Sequence, residues 1–287
     1  MSNTEIKRAM WPILNGKGGV SKTFTASMIA EWLQFCNLPF RLLDCDDNAS
    51  LTKRICEAER QTVKSSNDME ALMMRILESP ITLADCPSNI TAEVISLFSG
   101  ADFGPALQSV QGQLIVIVPI TSNDLDCFDE ARRIVMAIKN TAKYLVAKNE
   151  RDGTDFSAFS NSTTGMFLQA CGSRELVLPK LNIQLQRLCN ADRLTLSQFL
   201  GRFYFLQETN PVAAFSQTST AQSAANFLRN VFSQMNDLAS FILPPELVIG
   251  IQPVTAGAVK EFACRSWATK NAYNNNQNDN RPKIKAL

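Results

Sequence analysis

The stretch GKGGVSKT, Gly16 to Thr23, constrains this chain more than any other, because a glycine-rich turn that ends in Lys-Thr has few structural settings. Before it runs MWPILN, Met10 to Asn15, a short apolar segment; after it, TFTASMIAEWLQF places apolar residues at helical spacing in Phe24, Met28, Trp32 and Phe35. This reads as strand, loop, helix. Such a turn exposes consecutive backbone N–H groups and the helix N-terminus adds partial positive charge, so together they cradle phosphate oxygens. The pattern is that of the loop GxxxxGK[ST], with Ser21 where a glycine normally precedes the lysine. Gly16, Lys17, Gly18, Gly19, Val20, Ser21, Lys22, Thr23 and Phe24 then form the nucleotide-binding turn, with Lys22 reaching the β and γ phosphates and the Thr23 hydroxyl ligating Mg²⁺. Ser21 places a Cβ where backbone freedom is normally wanted. Its side chain is small, so nucleotide binding is expected to survive, while fast hydrolysis stays open.

Strand and helix patterns continue to alternate. FRLLD (Phe40–Asp44), ITLAD (Ile81–Asp85), LIVIVPI (Leu114–Ile120), AKYLVAKN (Ala142–Asn149) and RELVLPK (Arg174–Lys180) read as strands. Helices are expected from Asn48, over MEALMMRILE, TAEVISLF and DLDCFDEARRIVMAIKN, and a polar insertion at 152–172 separates the last two strands. The expected fold class is therefore α/β: a mostly parallel sheet with helices on both faces, joined by right-handed crossovers. LQRLCNADRLTLSQFL and AQSAANFLRNVFSQMNDLASFI add C-terminal helices, and Pro244-Pro245 makes a stop. We expect one domain over residues 1–244. Residues 245–287 form a C-terminal extension with six basic and three acidic residues and an Asn-rich run, its end disordered or ordered against a partner.

Three acids, Asp44, Asp46 and Asp85, close apolar strands, and in open parallel sheets ligands bind at that carboxyl edge. Carboxylates matter here because the chain contains no histidine, which excludes Ser-His-Asp and Cys-His machinery. The eight cysteines show no CxxC spacing and read as reduced, mostly buried thiols. With 28 basic and 27 acidic residues, no charge excess marks the whole chain as a nucleic-acid or membrane binder. No signal peptide opens it and no apolar run reaches the ~18 residues that would span a bilayer, so a cytoplasmic protein is expected.

KGGVxKT resembles the deviant Walker A motif of the ParA/MinD family of P-loop ATPases, in which a second lysine follows the first glycine; Lys17 stands there. The likeness runs from about Ala9 to Leu200 by order of motifs and is specific at the phosphate loop and two acidic strand ends. It implies a three-layer P-loop NTPase, ATP and Mg²⁺ as cofactors, and an ATP-dependent homodimer in which Lys17 stabilises charge on the partner's phosphates. LLDCDDNAS resembles a shortened DxDPQGNA, closer to ATPase-like proteins of plasmid mobilisation and transfer. By that match Asp46 orients or deprotonates the attacking water, and Asp44 supports Mg²⁺ or the loop itself. The alternative for both acids is capping of the helix from Asn48. LADCPSN resembles the Walker B stretch, which assigns Asp85 a Mg²⁺-bound water, and Asn149 and Pro179 occupy places where relatives contact adenine.

The function these features imply is a dimerising ATPase switch in plasmid partition, positioning or conjugative transfer, hydrolysing slowly until a protein partner stimulates it. Nonspecific DNA would be held by Lys180, Arg187, Arg193, Arg202 and Arg229 with Arg281, Lys283 and Lys285, although each also suits a solvated helix face. The alternative is a nucleotide-sensing scaffold with little hydrolysis that docks a secretion or conjugation complex. A metabolic ATPase that activates a small carboxylate ranks third. Direct membrane insertion is not expected, because the Asn-rich end lacks an apolar face.

Overall fold

Apolar runs without polar alternation suit strands buried on both faces, and the computed structural model assembles them into an all-parallel sheet. It describes residues 6–46, 51–55, 57–61, 74–75, 78–100, 103–122 and 124–279. These fall into two compact units, one from Met1–Lys53, Glu57–Lys180 and Val231–Pro253, the other from Arg54–Cys56, Leu181–Asn230 and Val254–Leu287. Asn48, Asp47, most of MEALMMRILE and the basic residues Arg281, Lys283 and Lys285 lie outside the described residues.

In the first unit the chain runs β1 (Arg8–Ile13), α1 (Lys22–Phe35), β2 (Arg41–Asp44), β3 (Glu59–Arg60) and β4 (Ile81–Asp85). It continues through α2 (Thr91–Ser99), α3 (Phe103–Ser109), β5 (Gly112–Thr121), α4 (Leu125–Ile138) and β6 (Ala142–Asn149). Two short helices, α5 (Ser157–Ser160) and α6 (Thr163–Ala170), fill the insertion before β7 (Arg174–Leu178). The seven strands lie in the order β3-β2-β4-β1-β5-β6-β7. The chain therefore leaves β1 toward one edge, returns to β4 beside it, and then builds outward from β5, so the direction of winding reverses around β1.

Alternate residues of each strand face opposite sides. Leu114, Val116 and Val118 of β5 join a core with Val94 and Phe98 of α2 and Ile134 of α4, while the intervening Ile115 and Ile117 are equally buried. Helix α1 lies against β1 and β4 and is buried almost all round, with the Phe35 ring tilted against Phe232 at 5.0 Å between ring centres. Gln234 clasps the edge strand β7: its Oε1 accepts the Val177 N–H and its Nε2 donates to the Val177 carbonyl, both at 2.9 Å. That leaves one fewer open position for edge-to-edge pairing.

The stretch read as one helix over 185–200 is two, α7 (Ile183–Asp192) and α8 (Leu196–Thr209). Arg193 takes the left-handed conformation at φ 53°, and Thr195 forms a capping box with Gln198 that starts the second helix. After α9 (Pro211–Phe215), α10 (Thr218–Ile242) contributes Asn230 and preceding residues to the second unit and Val231 onward to the first. The short α11 (Pro245–Val248) comes directly after Pro244, and α12 (Ala256–Asp279) carries most of the Asn-rich run as helix. Within the second unit α8 and α12 approach closely at Gly201, where a Cβ would collide with the Ala263 carbonyl. Ser197 and Ser266 hydroxyls bond across the same contact at 3.0 Å.

Candidate functional site

β1 ends beside Asp85 of β4 and Ile117 of β5, and the glycine-rich turn rises from that point into α1. Asn15 anchors the turn from below. This fully buried side chain donates through Nδ2 to the carbonyls of Pro119 (2.9 Å) and Cys127 (3.2 Å), and its Oδ1 accepts the Lys17 N–H at 2.9 Å. The motif by itself does not mark Asn15; the signal for it is a polar residue closing an apolar strand directly before the first glycine.

Gly19 and Ser21 both take positive φ, 81° and 68°. The usual glycine at position 21 thus answers a left-handed backbone requirement, and a residue with a Cβ carries ~1–2 kcal/mol of strain there. Ser21 makes no side-chain cap, but its carbonyl accepts the Thr25 N–H at 2.9 Å and the Thr25 hydroxyl at 3.0 Å. Lys22 bends back over the turn, donating from Nζ to the carbonyls of Asn15 (2.8 Å) and Lys17 (2.9 Å). Burial lowers its pKa, opposed by the charges of Asp85 and Asp46.

Asp85 is 2% exposed, and its Oδ2 has no hydrogen-bond partner among the described residues. Burial pushes its carboxyl pKa up to about 7, against a hydrogen bond from Thr23 and the charge of Lys22 and together with repulsion from Asp44 and Asp46. Asp44, also fully buried, accepts the backbone N–H groups of Asp46 (3.2 Å), Leu51 (3.0 Å) and Thr52 (2.9 Å). Its carboxylate is occupied in holding that loop, one of the two roles open to it from the sequence.

A cavity of about 650 Å³ lies over these elements, lined by Gly18, Gly19, Ser21, Lys22, Thr23, Asp46, Asp85, Arg151 and the turn Cys86–Asn89. Its size is that of an ordinary small-molecule site. Gly16, Lys17, Val20, Phe24, Asp44, Asn149 and Pro179 are not among its walls. Val20 packs in the core, Asn149 accepts the Arg151 N–H at 2.9 Å, and Lys17 pairs with Asp126 at 2.7 Å on an exposed surface. That pair raises the Lys17 pKa, chiefly through the hydrogen bond to Asp126.

The donor set fits Mg²⁺ entering with phosphate. An orphaned buried carboxylate oxygen on Asp85 stands beside the Thr23 hydroxyl, and Mg²⁺ usually takes one or two such protein groups plus waters and phosphate oxygens. Among the described residues no group of three or more Cys, Asp or Glu forms a closed metal cage.

An all-parallel sheet, helices on both faces and a glycine-rich turn from the central strand into a helix define the P-loop NTPase α/β/α architecture, here with added C-terminal helices. No protein-family model matches the chain, and no curated protein is similar to it. Among solved structures it is similar to the MinD cell division protein of Aquifex aeolicus, at 15% identity and TM-score 0.41 over 64% of this chain and 86% of that one. It is also similar to FlhF complexed with GMPPNP and Mg²⁺, at 10% identity and TM-score 0.37 over 63% and 70% of the two chains. The FlhF complex with GTP and Mg²⁺ gives 12% identity and TM-score 0.35 over 63% and 68%.

Proposed function

We propose that the chain is a ParA-like nucleotide switch: ATP with Mg²⁺ fills the cavity, joins two copies of the chain, and is hydrolysed slowly in the service of plasmid partition, positioning or conjugative transfer. The observation that carries this reading is the convergence on one cavity of a left-handed glycine-rich turn, Lys22, Thr23 and the orphaned oxygen of Asp85. Mg²⁺, when bound, neutralises charge on the β and γ phosphates. The turn's N–H groups would bind phosphate oxygens, and Lys22 would exchange its two carbonyl partners for phosphate. Thr23 and Asp85 would hold the metal and its water, and Asp46, on the same cavity, would orient the attacking water.

Lys17 stands off the walls of its own cavity, which suits a group whose target lies on a partner subunit. Its pair with Asp126 is solvent-exposed and screened by salt, so it presents a weak obstacle to that transfer. The second reading, a nucleotide-sensing scaffold with little hydrolysis, is favoured by Ser21 in the left-handed position of the turn. DNA carriage would show as ATP-dependent binding to arbitrary duplex that weakens steeply with added salt.

Calorimetric titration of the full chain with Mg²⁺ and ATP, ADP or GTP, alongside turnover, tests the reading. We expect native protein to bind ATP and Lys22→Ala to lose it. Native protein that binds no nucleotide would end the reading; binding without turnover would favour the scaffold.

A further inference from the structure

We propose that Arg151 binds the nucleotide's phosphates from within the same subunit, with Asp152 as the residue that positions it. The proposal rests on the reading of the cavity as a nucleotide site and adds to it a cationic group outside the phosphate loop.

The backbone that carries Arg151 is fixed. β6 ends at Asn149, paired on one side with Thr121 of β5 and on the other with Leu178 of β7. Just beyond, the Glu150 N–H donates to the Leu178 carbonyl and the Arg151 N–H to Asn149 Oδ1, each at 2.9 Å. From this anchored turn the side chain crosses to the phosphate loop and donates to the Gly19 carbonyl at 2.6 Å, on the wall shared with Ser21, Lys22 and Thr23.

The guanidinium is oriented as well as placed. Asp152 accepts from Nε at 2.9 Å and from the second terminal nitrogen at 2.6 Å, which fixes the plane of the group. Together with the Gly19 bond these use three of the five guanidinium N–H groups and leave two for a ligand. A rigid fork of this kind matches phosphate oxygens better than a flexible ammonium does.

Charge gives the group a task. The cavity walls carry two cations, Lys22 and Arg151, and two carboxyl groups, Asp46 and Asp85. Arg151 supplies one of the two positive charges on those walls, so without it a polyphosphate entering with Mg²⁺ meets a less favourable field.

The test is titration of the full chain with Mg²⁺ and ATP at several salt concentrations, using native protein, Arg151→Ala, Arg151→Lys and Lys22→Ala, each melted without nucleotide. We expect Arg151→Ala to weaken ATP binding about tenfold and flatten its salt dependence. Arg151→Lys should recover part of the affinity, with both Arg151 variants melting close to native because the residue is half-exposed. Native-like ATP affinity in Arg151→Ala, while Lys22→Ala loses binding, overturns the proposal and leaves the nucleotide reading standing. Equal loss in both Arg151 variants together with lowered melting temperatures also overturns it, by reducing the contact to a structural latch on Gly19. Native protein that binds no nucleotide removes both readings.

Discussion

At the scale of single residues, the candidate site gathers two costs that a stable protein normally avoids: a loop side chain at φ 68° and a strand-end carboxyl buried with one oxygen unpaired among the described residues. Relief of the first is measurable. Ser21→Gly removes ~1–2 kcal/mol of left-handed strain but adds ~0.5–1 kcal/mol of unfolded-state freedom, so chemical denaturation should show a net gain of up to about 1.5 kcal/mol. A loss would mean that the Ser21 side chain does something beyond filling a turn. The second cost depends on pH. Burial raises the Asp85 pKa from its ordinary 3.8 to about 7, so as pH rises the unfolded chain gives up this proton before the folded chain does. The penalty is absent below about pH 4, grows up to about pH 7 and is constant above. In Mg²⁺-free, nucleotide-free protein, Asp85→Asn should therefore gain stability relative to native between pH 4 and pH 7, by a few kcal/mol at most; a pH-independent difference would contradict the burial argument. Part of the candidate site was legible, the turn from its motif and the acids from their strand ends: Lys22, Thr23, Asp46 and Asp85 meet one cavity, whereas Lys17, Asp44, Asn149 and Pro179 are not among its walls. Arg151 was not, because it reaches the turn from 132 residues away through a tertiary contact that no local spacing encodes, and Asn15 showed only as a polar residue closing an apolar strand.

At the scale of elements, the strands were legible wherever both faces are buried, since an unbroken apolar run leaves little choice. β1 and β5 nevertheless each contain a proline, Pro12 and Pro119, in the middle of the sheet, where a missing N–H is usually disfavoured. The Pro119 carbonyl receives the Asn15 side chain, so that irregularity is tied to the site. Helix boundaries were harder. The break between α7 and α8 lies in DRLT, where Arg193 accepts a left-handed backbone and Thr195 caps the second helix, and periodicity alone runs through it. The Asn-rich run reads as an irregular end in sequence, yet α12 continues to Asp279, and α12 packs closely on α8 through Gly201. Gly201→Ala should therefore destabilise the protein by ~1–3 kcal/mol despite alanine's higher helix propensity, because the Ala263 carbonyl and Trp267 Cβ occupy the space. A melting temperature equal to or above native would show that the two helices can part at little cost.

At the scale of the whole molecule, the sheet places every strand's carboxyl end on one edge, and the winding reversal at β1 opens a site there. Among the described residues no helix is long and apolar enough to cross a membrane. What would join these features into a switch is the proposal that nucleotide changes the number of chains in the particle, with Asp46 acting in its own subunit and Lys17 serving the other. Light scattering of native, Asp46→Ala and Lys17→Ala protein with ATP, ADP or no nucleotide tests that claim most directly. The account predicts a particle of twice the monomer mass with ATP, longest-lived in Asp46→Ala because hydrolysis is blocked, and none in Lys17→Ala. Nucleotide-saturated native and Asp46→Ala proteins that both remain monomeric would contradict it.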